Sequence, residues 1–227
     1  MASTPSRRAA RTDERNRRGH LRPWFYALVK NAAKPIFNGV FRLRVHGTEH
    51  VPATGGFVIS SQHRSNWDAF LIGLPIRRHL RFMAKAEMYR FPPMAWIARS
   101  GGAFKVERGK SDSAAVDMAV ELAREGWGIA IYPEGTRNKR GKEPPRPRSG
   151  AARVAIAAGV PMIPVAINGV KAFRLFPPRV PRFEAIIGAA LPMDDLLEMD
   201  IHEAGHVLTE RWIARVEELS QGFAERR

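Results

Sequence analysis

Seven short runs rich in apolar and β-branched residues constrain this chain more than any other feature. They lie at 41–46, 56–61, 81–85, 103–107, 128–132, 162–167 and 182–187. Between them fall stretches of helical periodicity at 67–74, 88–99, 112–125, 150–158 and 201–224. A strand-length run cannot sit still as a helix, and strands alternating with helices imply βαβ units. The predicted fold is therefore α/β, with a central mostly parallel or mixed sheet flanked by helices. Ligands in such sheets bind outside the carboxyl ends of the strands. The residues that follow each run are the ones to read for chemistry.

At 227 residues the chain suits one domain with peripheral helices. It has no cysteine, which excludes disulfides, thiolate metal sites and a cysteine nucleophile. The net charge is +15. Residues 1–22 hold seven Arg against two acidic residues, and residues 194–227 hold nine acidic residues against four Arg, so the middle carries the whole excess. A basic middle attracts phosphates, coenzyme A or anionic lipid headgroups. Beyond that charge no nucleic-acid recognition motif is present, so no nucleic-acid partner is expected. The Arg-rich start has no apolar region behind it, which argues against a signal peptide. The longest uncharged stretch, Val154 to Val170, is broken by Pro161, Pro164 and two Gly. No spanning helix is expected, and the predicted location is peripheral, on the cytoplasmic side of the membrane.

The expected organisation is a basic flexible tail over 1–22, an amphipathic segment over 23–40 and one domain over 41–227. In the amphipathic segment Trp24, Phe25, Leu28, Val29, Ala32 and Ile36 fall near one helical face, with Lys30 and Lys34 on another. Aromatics and lysines in that arrangement suit a helix lying in the membrane interface, or one packing on the domain.

Four blocks carry the chemistry. His63-Arg64-Ser65-Asn66-Trp67-Asp68 follows the run Phe57-Val58-Ile59-Ser60 and opens a helix. A His at a strand end points into the crevice. An Asp five positions on, in the first turn, can accept from one ring nitrogen and leave the other free to take a proton from an alcohol. The same residues also fit a helix start with Ser65 as cap and Asp68 as the acidic third residue. Gly102-Ala103-Phe104-Lys105-Val106-Glu107-Arg108 puts Arg108 at a strand end, where a guanidinium grips phosphate through paired hydrogen bonds. Tyr132-Pro133-Glu134-Gly135-Thr136-Arg137 makes a tight turn, expected to offer free backbone amides beside a carboxylate, a hydroxyl and a guanidinium. Val160-Pro161-Met162-Ile163-Pro164-Val165 has two prolines in an apolar run, which suits an edge or bulged strand or the wall of an apolar groove, and which also fits a plain buried strand.

These four blocks, in this order, resemble the 1-acylglycerol-3-phosphate acyltransferase family over His63 to about Val165. The resemblance implies that His63 and Asp68 are the catalytic base and its orienting partner. It implies that Arg108, Glu134, Gly135, Thr136 and Arg137 bind the phosphorylated acceptor, with Lys105 and Arg148 as further phosphate contacts. Two departures stand out: Asn138 replaces the usual Ser after the third block, and Arg148 stands in place of a common Lys before the next helix. The implied reaction is direct acyl transfer at a membrane lipid surface, from acyl-CoA or acyl carrier protein to the hydroxyl of lysophosphatidic acid. It needs no metal and no cofactor beyond that co-substrate. The Gly135 amide is the candidate donor to the tetrahedral oxyanion. Another lysophospholipid or glycerol-3-phosphate remains open as acceptor, and a non-catalytic lipid-binding protein remains open as the role.

One motif points elsewhere. His202-Glu203-Ala204-Gly205-His206 matches the zinc-protease helix pattern. Ile201, Leu208, Trp212, Val216 and Leu219 around it make an ordinary packing stripe, which predicts an acidic cap helix instead.

Overall fold

The computed structural model describes residues 21–65, 67–85, 89–106, 112–136, 145–169 and 182–225. Strands β1 (Arg44–His46), β2 (Phe57–Ser61), β3 (Leu80–Lys85), β4 (Phe104–Val106), β5 (Gly128–Ile131), β6 (Met162–Asn168) and β7 (Glu184–Ile187) correspond one to one with the seven predicted runs. They form one sheet in the order β1-β7-β6-β2-β5-β3-β4. All neighbouring pairs are parallel except β6 with β7, so the sheet is mixed, with β1 and β7 running against the other five.

Helices α1 (Pro23–Pro35), α2 (Asp68–Gly73), α3 (Pro92–Ser100), α4 (Asp112–Arg124), α5 (Gly150–Ala158) and α6 (Ile201–Glu225) cover the sheet. The strands alternate their side chains between two cores. Val58, Ile129, Ile131, Met162 and Ala166 face the layer of α4, α5 and α6. Phe57, Ile59, Ala130, Ile163 and Val165 face α2 and the C-terminal end of α1. Gly128 shows how close the second packing is: a Cβ there would lie 2.4 Å from Phe57 and 2.9 Å from Leu80.

Several expectations need correction. Helix α3 begins at Pro92 rather than 88, with prolines in its first turn. Proline is tolerated there because those N–H groups have no helical partner. The α-helix of the 23–40 segment stops at Pro35 and continues as a π turn over Ile36–Val40. Arg42 then takes φ 49°, so the first strand starts only at Arg44. The face predicted for α1 is split. Phe25, Ala33 and Phe37 are buried, while Trp24, Leu28, Val29 and Ile36 stay exposed, because the domain takes up one apolar seam and leaves a second outside. Of the readings open for 160–165, the buried strand is the one that forms: β6 lies between β2 and β7 and is neither an edge nor bulged. Pro164 is tolerated because β7 has ended at Ile187 on the side where its N–H would point. Its carbonyl, on that same side, accepts instead from the N–H of Gly188 at 2.9 Å.

Candidate active site

The carboxyl end of β2 carries the first block. Its last residues are held from both sides. Ser60 Oγ donates to the Ile131 carbonyl of β5 at 3.0 Å, and Trp212 Nε1 of α6 donates to the Ser60 carbonyl at 3.1 Å. The chain then turns through His63 to Ser65 and enters α2 at Asp68. The turn closes on a single atom. Asp68 Oδ2 meets His63 Nδ1 at 3.0 Å and accepts the N–H groups of Arg64 at 2.7 Å and Ser65 at 2.8 Å. Asp68 is 0% exposed, and its negative charge is held there by those three donors. Ser65 Oγ accepts from the Trp67 N–H at 3.2 Å, but the expected cap does not form as read: Trp67 precedes the helix and Asp68 is its first residue rather than its third. With Nδ1–H donated to Asp68, His63 presents Nε2 as an acceptor. Its side chain is 23% exposed.

The third block supports this histidine from beside it. The rings of His63 and Tyr132 stack with centroids 4.2 Å apart and planes 14° apart. The Tyr132 hydroxyl is buried with no hydrogen-bond partner. Burial pushes its pKa well above the usual phenol value, and the Asp68 charge adds to that. Glu134, which the sequence placed among acceptor-binding groups, is 7% exposed and accepts from the His63 backbone N–H. Burial raises its pKa, partly offset by that bond and by Arg64 and His63. Its carboxylate thus braces the loop that carries the histidine.

The turn does not offer the amides expected of it. The Gly135 N–H donates to the Tyr132 carbonyl at 2.9 Å and the Thr136 N–H to the Glu134 carbonyl at 2.7 Å. Gly135 has φ +65°, which lets the chain close this way. The Gly135 amide is therefore already engaged and is not the oxyanion donor. The Arg148 N–H donates to the Pro133 carbonyl at 2.9 Å, tying the segment before α5 to the same turn. Arg108 and Arg137 lie outside the described residues, as does the Lys105 side chain.

His63, Tyr132, Gly135 and Thr136 open on a cavity of about 880 Å³. Ala69, Phe70 and Gly73 of α2, Leu74 just after it, Phe82 and Met83 of β3, Phe25 and Val29 of α1, and Met94 and Ile97 of α3 line it. The walls are largely apolar. Lys30 is a charged exception: it donates to the Ile76 carbonyl, and burial, with Lys34 a lesser cause, holds its pKa below the usual lysine value. A proton acceptor at the mouth of an apolar cavity can activate a hydroxyl beside a long alkyl chain.

No signal in the sequence marks Tyr132, Trp212 or α3 for these tasks. Each acts through a contact between distant parts of the chain. The zinc pattern does not assemble: among the described residues no group of three His, Asp or Glu side chains gathers to hold a metal. His202 and His206 are exposed on α6, on the other face of the sheet from the cavity-lining helices α1 and α2.

Comparison with known proteins adds three findings. A family model described as Acyltransferase matches residues 42–168. Among curated relatives, the 1-acyl-sn-glycerol-3-phosphate acyltransferase of Bacillus subtilis (strain 168) is 28% identical over 196 residues, which are 86% of this chain and 96% of that one. The human 1-acyl-sn-glycerol-3-phosphate acyltransferase beta is 33% identical over 66% of this chain, which spans only 52% of the human protein. Among solved structures, the 1-acyl-sn-glycerophosphate (LPA) acyltransferase PlsC from Thermotoga maritima aligns with a TM-score of 0.63 at 23% identity, over 86% of this chain and 79% of that one.

Proposed function

Since this chain belongs to the acyltransferase family, we propose that it acylates the free hydroxyl of lysophosphatidic acid to give phosphatidic acid, a step in phospholipid biosynthesis. The observation that carries this reading is the His63–Asp68 pair, 3.0 Å apart, at the mouth of the apolar cavity. The named activities of the similar proteins fit it.

The acceptor hydroxyl gives its proton to His63 Nε2 as its oxygen bonds to the thioester carbonyl carbon. The tetrahedral intermediate collapses, the carbon–sulfur bond breaks, and the imidazolium returns the proton to the leaving thiolate. Asp68 stabilises the imidazolium between the two steps. A base so placed contributes about 10²–10⁴-fold in rate. The donor is acyl-CoA or acyl carrier protein, whose acyl chain the cavity has the lining to accept. No cofactor enters this scheme. Arg108, Arg137, Lys105 and Arg148 are the groups proposed for phosphate.

The same reading makes the enzyme a peripheral protein on the cytoplasmic face of the membrane. No helix among the described residues is long and apolar enough to cross a bilayer. Its proposed contact surface is wider than α1. Phe91, Met94, Trp96 and Ile97 at α3 are exposed, and Trp96 meets Phe25 of α1 edge to face at 4.8 Å. These two helices also line the cavity, so an acyl chain leaving a lipid leaflet enters between them. Exposed apolar patches of this kind mark interaction surfaces.

The test is thiol release from acyl-CoA, with and without lysophosphatidic acid, for the wild type and His63→Ala. Acceptor-dependent release that disappears in the variant is the expected result. Undiminished release from the variant refutes the mechanism.

A further inference from the structure

Two of the three constraints needed to aim a ring are visible around His63. The main chain holds one edge of the imidazole at Cγ, and Asp68 Oδ2 holds Nδ1. One hydrogen bond sets the Nδ1–Oδ2 distance but does not fix the two side-chain torsions χ1 and χ2 separately. The ring can still rock by coupled changes of the two and carry Nε2 with it. The third constraint is the Tyr132 ring, which lies nearly parallel to the imidazole, 14° off, at a centroid distance of 4.2 Å. Stacking against a ring that itself packs on the second core limits that rocking.

We propose that Tyr132 is a positioning residue for the base, acting through its ring face and not through its hydroxyl. The hydroxyl is sealed from solvent and has no partner, so it is not offered to the cavity. The ring lines the cavity beside His63. An aromatic face is the negative side of the ring quadrupole, so it also favours the imidazolium that forms as the acceptor loses its proton. This role rests on His63 being the base, as proposed above. It predicts that the face is required and the oxygen is not.

The experiment compares Tyr132→Phe and Tyr132→Leu in the full chain, with kcat and KM for acyl-CoA and lysophosphatidic acid measured separately. The His63 Cε1–H resonance, assigned through His63→Ala, reports the stack by its ring-current shift without need of turnover. Phe is expected to keep the upfield shift and kcat within about twofold. Leu is expected to lose the shift and to lower kcat by about 10²-fold, the size of effect that follows a small misplacement of a reacting group. KM and the melting temperature of Leu stay near those of Phe. A Leu variant with kcat within about twofold of wild type overturns the proposal. So does a Phe variant as impaired as Leu, which assigns the role to the oxygen, and so does a wild type without the upfield shift. A wild type that releases no thiol with any lysophospholipid acceptor sinks the acyl-transfer reading instead, and the resonance then decides the positional claim alone.

Discussion

Replacing Asp68 by asparagine separates two things that an orienting carboxylate does. Where the resulting amide is free to flip, it can present NH₂ to the histidine, force the wrong tautomer and cost about 10⁴ in rate. Here the amide is not free. Oδ2 already accepts two backbone N–H groups, at 2.7 and 2.8 Å. An NH₂ in that place would set donors against donors and leave both amides unpaired. The asparagine oxygen therefore takes the site, His63 keeps its Nδ1–H, and the tautomer is preserved. What disappears is the charge beside the imidazolium. A hydrogen bond to a charged group is worth about 1.5–3 kcal/mol and a neutral one about 0.5–1.5 kcal/mol. The difference, about 1–2 kcal/mol, lowers kcat/KM by about 5- to 30-fold. Asp68→Ala removes the acceptor entirely, so it loses more activity and also lowers the melting temperature as the 63–65 loop comes loose. The assay is thiol release at limiting acceptor, with thermal melts in parallel. A 10⁴-fold loss in Asp68→Asn, in a variant that melts like wild type, refutes the argument that two backbone amides lock the orientation.

Three further outcomes follow from the packing. Glu134 prefers its proton more when folded than when unfolded, so its contribution to stability is full below the ordinary carboxylate value of 4.5 and declines as pH rises toward the raised value. Glu134→Gln removes that decline, and the melting-temperature gap between variant and wild type should widen from about pH 4 to about pH 7; a gap independent of pH contradicts it. Gly128→Ala drives a methyl into Phe57 and Leu80 and should cost about 1–3 kcal/mol in chemical denaturation; an unchanged midpoint means the sheet relaxes there. Trp24→Glu and Trp96→Glu, at side chains 58% and 44% exposed, should each weaken co-sedimentation with anionic vesicles by about tenfold or more while sparing stability. Equal binding by both variants removes α1 and α3 from the contact surface.

The sheet was legible in the sequence because a strand with both faces covered writes itself as a continuous apolar run, as in Phe57–Ser61 and Met162–Asn168. The His63–Asp68 pair was legible because it is local: five residues of spacing bring the two side chains together without help from the rest of the chain. What depended on distant partners was not. Pro164 left an edge and a buried strand both open because nothing near it reveals where β7 stops. The Gly135–Thr136 turn suggested free amides because a residue string does not say which carbonyl each amide already meets. Trp212 fell in an ordinary helix stripe, and only the fold shows its indole reaching Ser60, three residues before the histidine. Likewise α1 was read as having one apolar face, since the seam that the domain takes up is defined by the domain.

The helix α6 lies on the other face of the sheet from α1 and carries exposed Glu203, Glu210, Glu217 and Glu218. The segment that contains it is net acidic in a chain that is otherwise strongly basic. Those carboxylates sit across the sheet from α1 and α2, which line the cavity. At the anionic leaflet proposed above as the working surface, whose field extends about 8–10 Å at physiological salt, those carboxylates would be repelled before any contact is made. Approach with α6 foremost would be disfavoured, leaving a larger share of encounters to the face that carries the cavity.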